Sequence, residues 1–268
     1  MVDSSLKARI DAVPQWYHTL ELAPGVVTPG WFDLRETIAA LPFPDDLTGR
    51  RCLDIGTFDG FWAFEMERRG ADEVVAVDLL DPGAWDWPHG SDAAVVDAIG
   101  QRKAGGSGFE VARDALGSSV ERRELSVYDL DPDDIGTFDF VYVGSLLLHL
   151  RDPVRALERA RSVCRGEALL VDAIDGTLST LFPRRPMAGL DGKGRPWWWK
   201  PNVAGLVRMV EAAGFEVLGD PVRTRLRLGP EQPKPRVMPS GLRSRGAREH
   251  LLIAHLGDPH AAVRARPR

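Results

Sequence analysis

The chain has 268 residues, 44% of them hydrophobic and 27% charged, which is the composition of an ordinary water-soluble protein. This length favours one large domain over two unrelated ones. No apolar run approaches the roughly 20 residues of a membrane span, and the first residues lack the pattern of a secretory leader, so we expect a cytoplasmic protein with no membrane partner. The two cysteines, Cys52 and Cys164, are expected to be buried free thiols, and no metal site is predicted.

The net charge of −5 is distributed unevenly along the chain. Residues 184–268 hold 17 Lys/Arg against 7 Asp/Glu, whereas residues 1–183 hold 17 against 32. The basic segment is either a solvated arginine-rich surface or a face for an anionic substrate. Because its basic residues are spread over the whole segment rather than packed into a short run, the first interpretation is favoured.

The N-terminal half predicts a cap followed by alternating strands and helices. Residues 1–45 lie outside the alternation and are interpreted as a helical N-terminal cap. Arg51–Ile55 is a short apolar strand, residues 60–70 form a helix that ends at Gly70, and Glu73–Asp78 is the second strand. Residues 80–118, with two tryptophans and a glycine-rich stretch, are predicted to be an inserted lid segment.

Three more buried parallel strands are predicted, at Arg123–Tyr128, Phe138–Val143 and Ala168–Ile174. The helix before the fifth strand begins at Asp152-Pro153 and ends at Gly166. A domain that alternates in this way has a parallel sheet with crossover helices.

The pattern changes after the fifth strand. Residues 176–200 are predicted to be a second lid segment, and Asn202 caps a helix that ends at Gly214. The two last strands are predicted at Phe215–Leu218 and His250–His255. A Pro/Arg-rich insertion, residues 220–247, joins them. The predicted fold is therefore a Rossmann-like α/β domain over residues 46–268. It has a mixed seven-stranded sheet, five parallel strands plus a C-terminal strand pair, with helices on both faces.

The turn after the first strand, Leu53-Asp54-Ile55-Gly56-Thr57-Phe58-Asp59-Gly60, is the most informative segment. Glycines at 56 and 60 allow the backbone to turn sharply beside a ligand. Asp78 ends the next strand 18 residues after Gly60, about where an open α/β sheet places a carboxylate for ribose hydroxyls. This combination predicts a nucleoside site.

The same turn disfavours a dinucleotide. A pyrophosphate site needs Gly-x-Gly-x-x-Gly, but Phe58 stands at the second glycine position. Asp54 and Asp59 would repel a pyrophosphate and attract the ammonium and sulfonium groups of S-adenosylmethionine (SAM). SAM is therefore the predicted cofactor, and S-adenosylhomocysteine (SAH) the product.

Four segments resemble the motifs of class I SAM-dependent methyltransferases, over about residues 48–220: LDIGTFDG, VVAVD, FDFVYVGSLLLHLRDP and the helix ending in AAGF. WYHTLEL, GVVTPG and WWWKPN resemble more narrowly the branch of the tRNA wobble-uridine methyl- or carboxymethyltransferases. The cofactor-binding residues implied are Asp54, Gly56, Thr57, Gly60, Asp78, Leu79, Ser126, Val127, Tyr128, Gly144 and Ser145. The resemblance implies that Asp78 binds ribose, that residues 126–128 flank adenine and that Ser145 lies near the methyl group. The chain departs from this family where Ser126-Val127 stand in place of a frequent Asp.

Methyl transfer is an in-line displacement, so a base is needed only when the nucleophile must lose a proton. His149, after the fourth strand, and His18, in the cap, are the candidate bases. Tyr17 is a third candidate catalytic residue. The alternative for each is simple packing near the site.

Three consecutive tryptophans cannot all face one core, so at least one should line a pocket or an interface. The candidate substrate-binding residues are Trp16, Trp31, Trp197, Trp198, Trp199 and Asn202. Asp172 and Asp175 are second-rank candidates for substrate contact.

The favoured function is methyl transfer to an oxygen or nitrogen atom of a small molecule, because the net charge is negative. Transfer to a tRNA wobble uridine is the first alternative, and a non-catalytic SAM-binding protein is the second. A carboxymethyl donor would need a cation near its carboxylate, and Arg151, Arg195 or Lys200 could serve. A homodimer is compatible with the sequence.

Overall fold

A computed structural model describes residues 4–194, 196–232 and 245–268. The helices are α1 (Ser4–Asp11), α2 (Phe61–Arg68), α3 (Ala93–Lys103), α4 (Ser107–Leu116), α5 (Pro132–Ile135), α6 (Pro153–Val163), α7 (Gly176–Leu181), α8 (Val203–Ala212) and α9 (Arg245–Leu256). The strands are β1 (Glu21–Ala23), β2 (Val26–Val27), β3 (Phe32–Asp33), β4 (Arg51–Ile55), β5 (Glu73–Asp78), β6 (Glu121–Glu124), β7 (Phe138–Gly144), β8 (Cys164–Ala173), β9 (Ala188–Leu190), β10 (Trp199–Pro201), β11 (Phe215–Val217), β12 (Val222–Leu228) and β13 (Asp258–Pro267).

One mixed sheet organises the domain, in the order β3-β12-β13-β8-β7-β4-β5-β6, with β11 also paired to β13. Strands β6, β5, β4, β7 and β8 are parallel, and β13 is antiparallel to β8. The predicted Rossmann-like α/β class and its five parallel strands are confirmed. Within the described residues the sheet has nine strands, not the predicted seven.

The central strands are buried on both faces because helices cover the sheet from both sides. Along β4, Cys52 faces one apolar cluster and Leu53 faces the other, as the twofold period of a strand requires. Both cysteines are free and buried, as predicted.

The strand predicted at Phe215–Leu218 is confirmed as β11, but the prediction for the last strand was wrong. His250–His255 belongs to helix α9, and the final strand is Asp258–Pro267. An apolar run as short as Leu251-Leu252-Ile253-Ala254 fits a helix or a strand equally well. The segment 220–247, predicted to be an insertion, contains β12, where exposed arginines alternate with less exposed residues as in a half-buried strand.

Two boundaries also differ from the prediction. The third strand ends at Glu124, and Val127–Asp129 form a 3₁₀ turn because the Ser126 side chain accepts a hydrogen bond from the Tyr128 N–H. Helix α6 ends at Val163 and not at Gly166, which lies inside β8. A Cβ atom at Gly166 would lie 2.2 Å from the Asp139 carbonyl oxygen, so glycine there permits close approach of the strands.

The N-terminal segment is not the predicted helical cap. After α1 it forms a β1–β2 hairpin, and then β3, which joins the main sheet beside β12. Trp16, Leu20, Leu22 and Leu34 are buried in the core of the domain. An independent cap could be removed without affecting the rest of the domain. Because this segment is part of the core, we expect that deletion of residues 1–35 destabilises the domain.

The two segments predicted to be lids, residues 80–118 and 176–200, contact each other. The Trp198 Nε1–H donates to the Asp86 carbonyl oxygen at 2.6 Å, and the Arg151 guanidinium lies 4.9 Å from the centre of the Trp198 ring. In the part of the chain that the structure describes, no helix is long and apolar enough to cross a membrane.

Candidate cofactor and acceptor site

The candidate site lies where the carboxyl ends of β4, β5, β7 and β8 meet. Strand β4 lies between β5 and β7, so the chain leaves β4 towards one side of the sheet and returns on the other. Open α/β sheets bind ligands at such a switch point. Because β13 is antiparallel to β8, its first residues reach the same edge, and His260 lies opposite Ala173.

The turn after β4 has the predicted left-handed backbone, with φ of +82° at Gly56 and +91° at Gly60. A Cβ atom at Gly60 would lie 2.3 Å from the Phe64 ring and 2.9 Å from the Phe109 ring, so helix packing also requires glycine there. At Gly56 its nearest neighbours would be side-chain atoms of Leu146, at 3.4 Å, an ordinary contact. Phe58 is also left-handed, with φ of +51°. Such strain in a residue other than glycine is typical of functional sites.

Asp54 presents a buried carboxyl group to this turn. Its Oδ2 atom and the Oγ1 atom of Thr57 have no hydrogen-bond partner among the described residues. Burial raises the pKa of Asp54 to about 7, and nearby Thr57 and His18 lower it in part. An unpartnered buried carboxylate oxygen fits a cationic ligand, and the ammonium group of SAM has that chemistry.

Asp78 ends β5, as predicted, and its carboxylate is already engaged. It accepts hydrogen bonds from the N–H groups of Phe58 and Leu79, both at 2.8 Å. Its third partner is the Lys103 ammonium group at 2.5 Å. The Lys103 side chain is only 5% exposed, and its Nζ lies 5.2 Å from the Phe58 ring centre and 5.3 Å from that of Trp85. Sequence reasoning missed Lys103, because a single lysine in a glycine-rich segment gives no signal.

Asp59 joins the N-terminal segment to the cofactor turn. Its Oδ2 atom accepts hydrogen bonds from the backbone N–H groups of Tyr17, at 2.8 Å, and His18, at 2.7 Å. Its Oδ1 atom pairs with Nδ1 of His18. His18 and Asp59 are both almost fully buried. The structure thus brings two sequence candidates, Tyr17 and His18, to the cofactor edge.

Ser145 and the buried His260 form a second hydrogen-bonded pair beside Tyr17. Ser145 directly follows β7 with a left-handed φ of +49°, and its Oγ atom lies 3.1 Å from Nε2 of His260. Burial raises the pKa of Tyr17 well above its usual value, and interaction with the Ser145 hydroxyl lowers it in part. His260 was missed because the last strand was predicted to end at His255, whereas it begins at Asp258.

Asp172 supports the loop that carries Ser145. Its Oδ2 atom accepts the N–H groups of Leu146, at 2.9 Å, and Leu147, at 2.7 Å. Burial raises the pKa of Asp172, while the nearby His260 and these backbone hydrogen bonds lower it. Asp175, the other second-rank candidate, instead caps α7 by accepting the Leu178 N–H.

His149 lies on the other side of the site, next to Asp78 and Lys103. Its Nδ1–H donates to the Pro196 carbonyl oxygen at 2.7 Å. Burial lowers the pKa of His149, and Lys103 lowers it further, so the imidazole is held neutral. A neutral imidazole can act as a base. Because Nδ1–H is bonded to Pro196, only Nε2 of His149 could accept a proton.

The segment predicted to flank adenine is held by the first lid. Val127 is buried, and the Tyr128 hydroxyl donates to Asp86 at 2.6 Å. Burial and Asp86 raise the pKa of Tyr128 well above its usual value. Gly144 packs against the ring of Tyr142, which a Cβ atom would approach to 2.5 Å.

The predicted substrate-binding residues separate into two groups. Trp16 is 1% exposed and donates to the Ile10 carbonyl oxygen, and Asn202 is fully buried with all its hydrogen bonds made to backbone groups. The structure gives these two residues packing and capping roles. Trp198 and Trp199 are half-buried, Trp197 is 38% exposed, and the Arg102 guanidinium lies 5.5 Å from the centre of the Trp31 ring.

The sheet order, the glycine turn and the acidic residues at the ends of β4 and β5 define a Rossmann-like methyltransferase site. The family model described as "Methyltransferase domain" matches residues 30–219. The chain belongs to this methyltransferase domain family, which confirms the predicted class and SAM as its cofactor.

The chain is similar to curated tRNA U34 carboxymethyltransferases. One from Dichelobacter nodosus is 23% identical over 175 residues, which cover 64% of this chain and 47% of the relative. One from Campylobacter hominis is 28% identical over 175 residues, covering 64% of this chain and 52% of the relative. The chain spans about half the length of these relatives.

Among solved structures, the chain resembles the N-terminal domain of EvdMO1, crystallised in the presence of SAH and D-fucose. The TM-score is 0.56 at 17% identity, covering 100% of this chain and 98% of that one. A second structure of that domain, with SAH bound, gives the same TM-score. At this identity the likeness confirms the fold.

Proposed function

We propose that this protein transfers the methyl group of SAM to an oxygen or nitrogen atom of a small molecule. The supporting observation is that segments of this chain cover the cofactor edge. The N-terminal segment is held to the glycine turn by Asp59, and the two lid segments are joined through Trp198 and Asp86. Covering segments suit a small acceptor, because they exclude water and orient the reactants.

In this proposal Asp54 faces the ammonium group of SAM, and Asp78 faces the ribose hydroxyls. One lone pair of the Asp78 carboxylate remains after its three present contacts, so ribose binding requires Lys103 to share or leave this carboxylate. Bound SAM supplies an activated methyl group, and the protein positions it against the acceptor. The solved domain crystallised with SAH and D-fucose is a precedent for a small hydroxylated molecule on this fold.

A tRNA acceptor is the second candidate, favoured by the similarity to the tRNA U34 carboxymethyltransferases and by the basic segment 184–268. On strand β12, Arg223, Arg225 and Arg227 share one exposed face. Each of the three already has a partner within the protein. Arg223 donates to the Ser179 carbonyl oxygen, Arg225 donates to the Gly257 carbonyl oxygen, and Arg227 pairs with Glu36. For a carboxymethyl donor, Arg151 and Lys103 are candidate cations, while Arg195 lies outside the described residues.

Labelled SAM offered separately to total tRNA and to a panel of sugars, phenols and amines distinguishes the candidates. We expect label in a small molecule and none in tRNA. The Asp54→Asn variant should incorporate much less label, and Asp45→Asn, at a fully exposed position, should match the wild type. Label in tRNA that falls steeply as salt rises would contradict the proposal and favour the RNA acceptor.

A further inference from the structure

Ser145 connects a buried imidazole to the site. Of the three hydrogen-bonded histidines at this edge, His18 faces a carboxylate and His149 faces a carbonyl oxygen, whereas His260 faces a hydroxyl group. His260 is 2% exposed, but Ser145 is only partly buried and adjoins Tyr17. A proton can therefore reach His260 through Ser145 without direct contact between the imidazole and the acceptor.

The neighbours of His260 determine which atom donates and which accepts in its hydrogen bond with Ser145. The Asp258 carbonyl oxygen, 3.1 Å from Nδ1 of His260, can only accept, so Nδ1 carries the proton of the neutral imidazole. Nε2 then has a free lone pair and accepts the Ser145 hydroxyl at 3.1 Å. The Oγ atom of Ser145 in turn keeps a lone pair for the proton of an acceptor.

We propose that Ser145 and His260 are the proton-accepting pair of the reaction and that the acceptor atom is a hydroxyl oxygen. This inference rests on the proposed function. The oxygen–methyl bond forms as the sulfur–methyl bond breaks, and the sulfonium becomes the neutral thioether of SAH. The acceptor proton moves to Oγ of Ser145, whose own proton moves to Nε2 of His260. The positive charge of the sulfonium is thus replaced by that of the imidazolium, which later releases its proton to water.

The surroundings of His260 suit a temporary positive charge. The Asp258 carboxylate lies 3.8 Å from Nδ1, on the same strand. From the neighbouring strand β8, the buried Asp172 carboxyl group interacts with the imidazole. Tyr17, on the N-terminal segment, is held neutral by burial. Ser145 is the catalytic residue because it would touch the acceptor, and His260 acts through it.

The first test uses an acceptor that the labelling panel identifies. His260→Gln keeps a hydrogen-bonding group near Ser145 but cannot titrate, so kcat should fall about 10²–10⁴-fold with little change in KM, and the acid limb of the pH profile should disappear. The kcat of Ser145→Ala should fall by a similar factor, and so should that of Ser145→Gly, in which glycine suits the left-handed backbone. Adding His260→Gln to either should cost little more, because the two residues act as one unit.

His255→Gln, at an exposed position on α9, is the matched control and should keep the wild-type rate. A His260→Gln variant with unchanged SAH binding that keeps more than a third of the wild-type kcat would overturn the pair. Transfer of label to a nitrogen atom would overturn the hydroxyl assignment. Neither result would affect the labelling that tests the proposed function.

The second test needs no acceptor. The ¹⁵N ring signals of His260, followed by NMR, should differ between the SAM and SAH complexes, because the sulfonium charge is present only with SAM and acts on the imidazole across the site. The ring signals of the exposed His255 should be the same in both complexes. Identical His260 ring signals in the two complexes would place the imidazole outside the influence of the methyl group and would overturn the inference, whether or not an acceptor is known.

Discussion

The protonation state of Asp54 predicts how SAM binding depends on pH. The carboxyl group is 1% exposed, and burial raises its pKa to about 7. The ammonium group of SAM favours the carboxylate, so binding requires the neutral form to lose its proton. SAM affinity should therefore fall as the pH drops below 7.

The magnitude follows from the fraction of Asp54 that is ionised. Half is ionised at pH 7 and about one part in eleven at pH 6, so SAM affinity should fall about fivefold over this unit and about 15-fold by pH 5.5, or about 1.6 kcal/mol. This window lies below the pKa of a typical α-amino group, about 7.7–8.0, so the ligand keeps its charge throughout.

Calorimetry measures this effect directly. At pH 7, SAM binding should release about half a proton, visible as a heat that varies with the ionisation enthalpy of the buffer. The isosteric Asp54→Asn variant should bind SAM more weakly and with the same affinity from pH 5.5 to 7. A flat wild-type profile, or an equal slope in Asp54→Asn, would refute this account of Asp54.

Two further predictions concern the scaffold of the site. Asp59→Ala removes a carboxylate that bonds the Tyr17 and His18 backbone N–H groups and the His18 ring, so the free energy of unfolding measured with urea should fall by about 3–5 kcal/mol. A loss below about 1 kcal/mol would show that these hydrogen bonds do not stabilise the fold. Gly60→Ala combines a left-handed φ with a Cβ clash, so it should lower the free energy of unfolding by well over ~1–2 kcal/mol. That smaller loss is expected of the control Gly25→Ala, where φ is also left-handed but the Cβ atom meets open space. Equal losses would contradict the packing of Phe64 and Phe109 against Gly60.

Local sequence was sufficient for the features that depend on neighbouring residues. The strands β4, β5, β7 and β8 each contain a short apolar run. Asp152 and Asn202 cap the helices as predicted, because each accepts a hydrogen bond from an N–H group three residues ahead. The glycine turn with Asp54, and Asp78 at the end of β5, could be predicted for the same reason. Each is encoded within one strand–turn–helix unit.

The contacts between distant segments were decided only by the tertiary structure. Ser145 meets His260 across 115 residues, and Asp59 meets His18 across 41. Lys103 reaches Asp78 from an inserted helix. Such pairs depend on strand order and register, which hydrophobic periodicity does not specify. Since a short apolar run is compatible with a helix or a strand, only packing against β8 placed the last strand at Asp258–Pro267, and with it the histidine that faces Ser145.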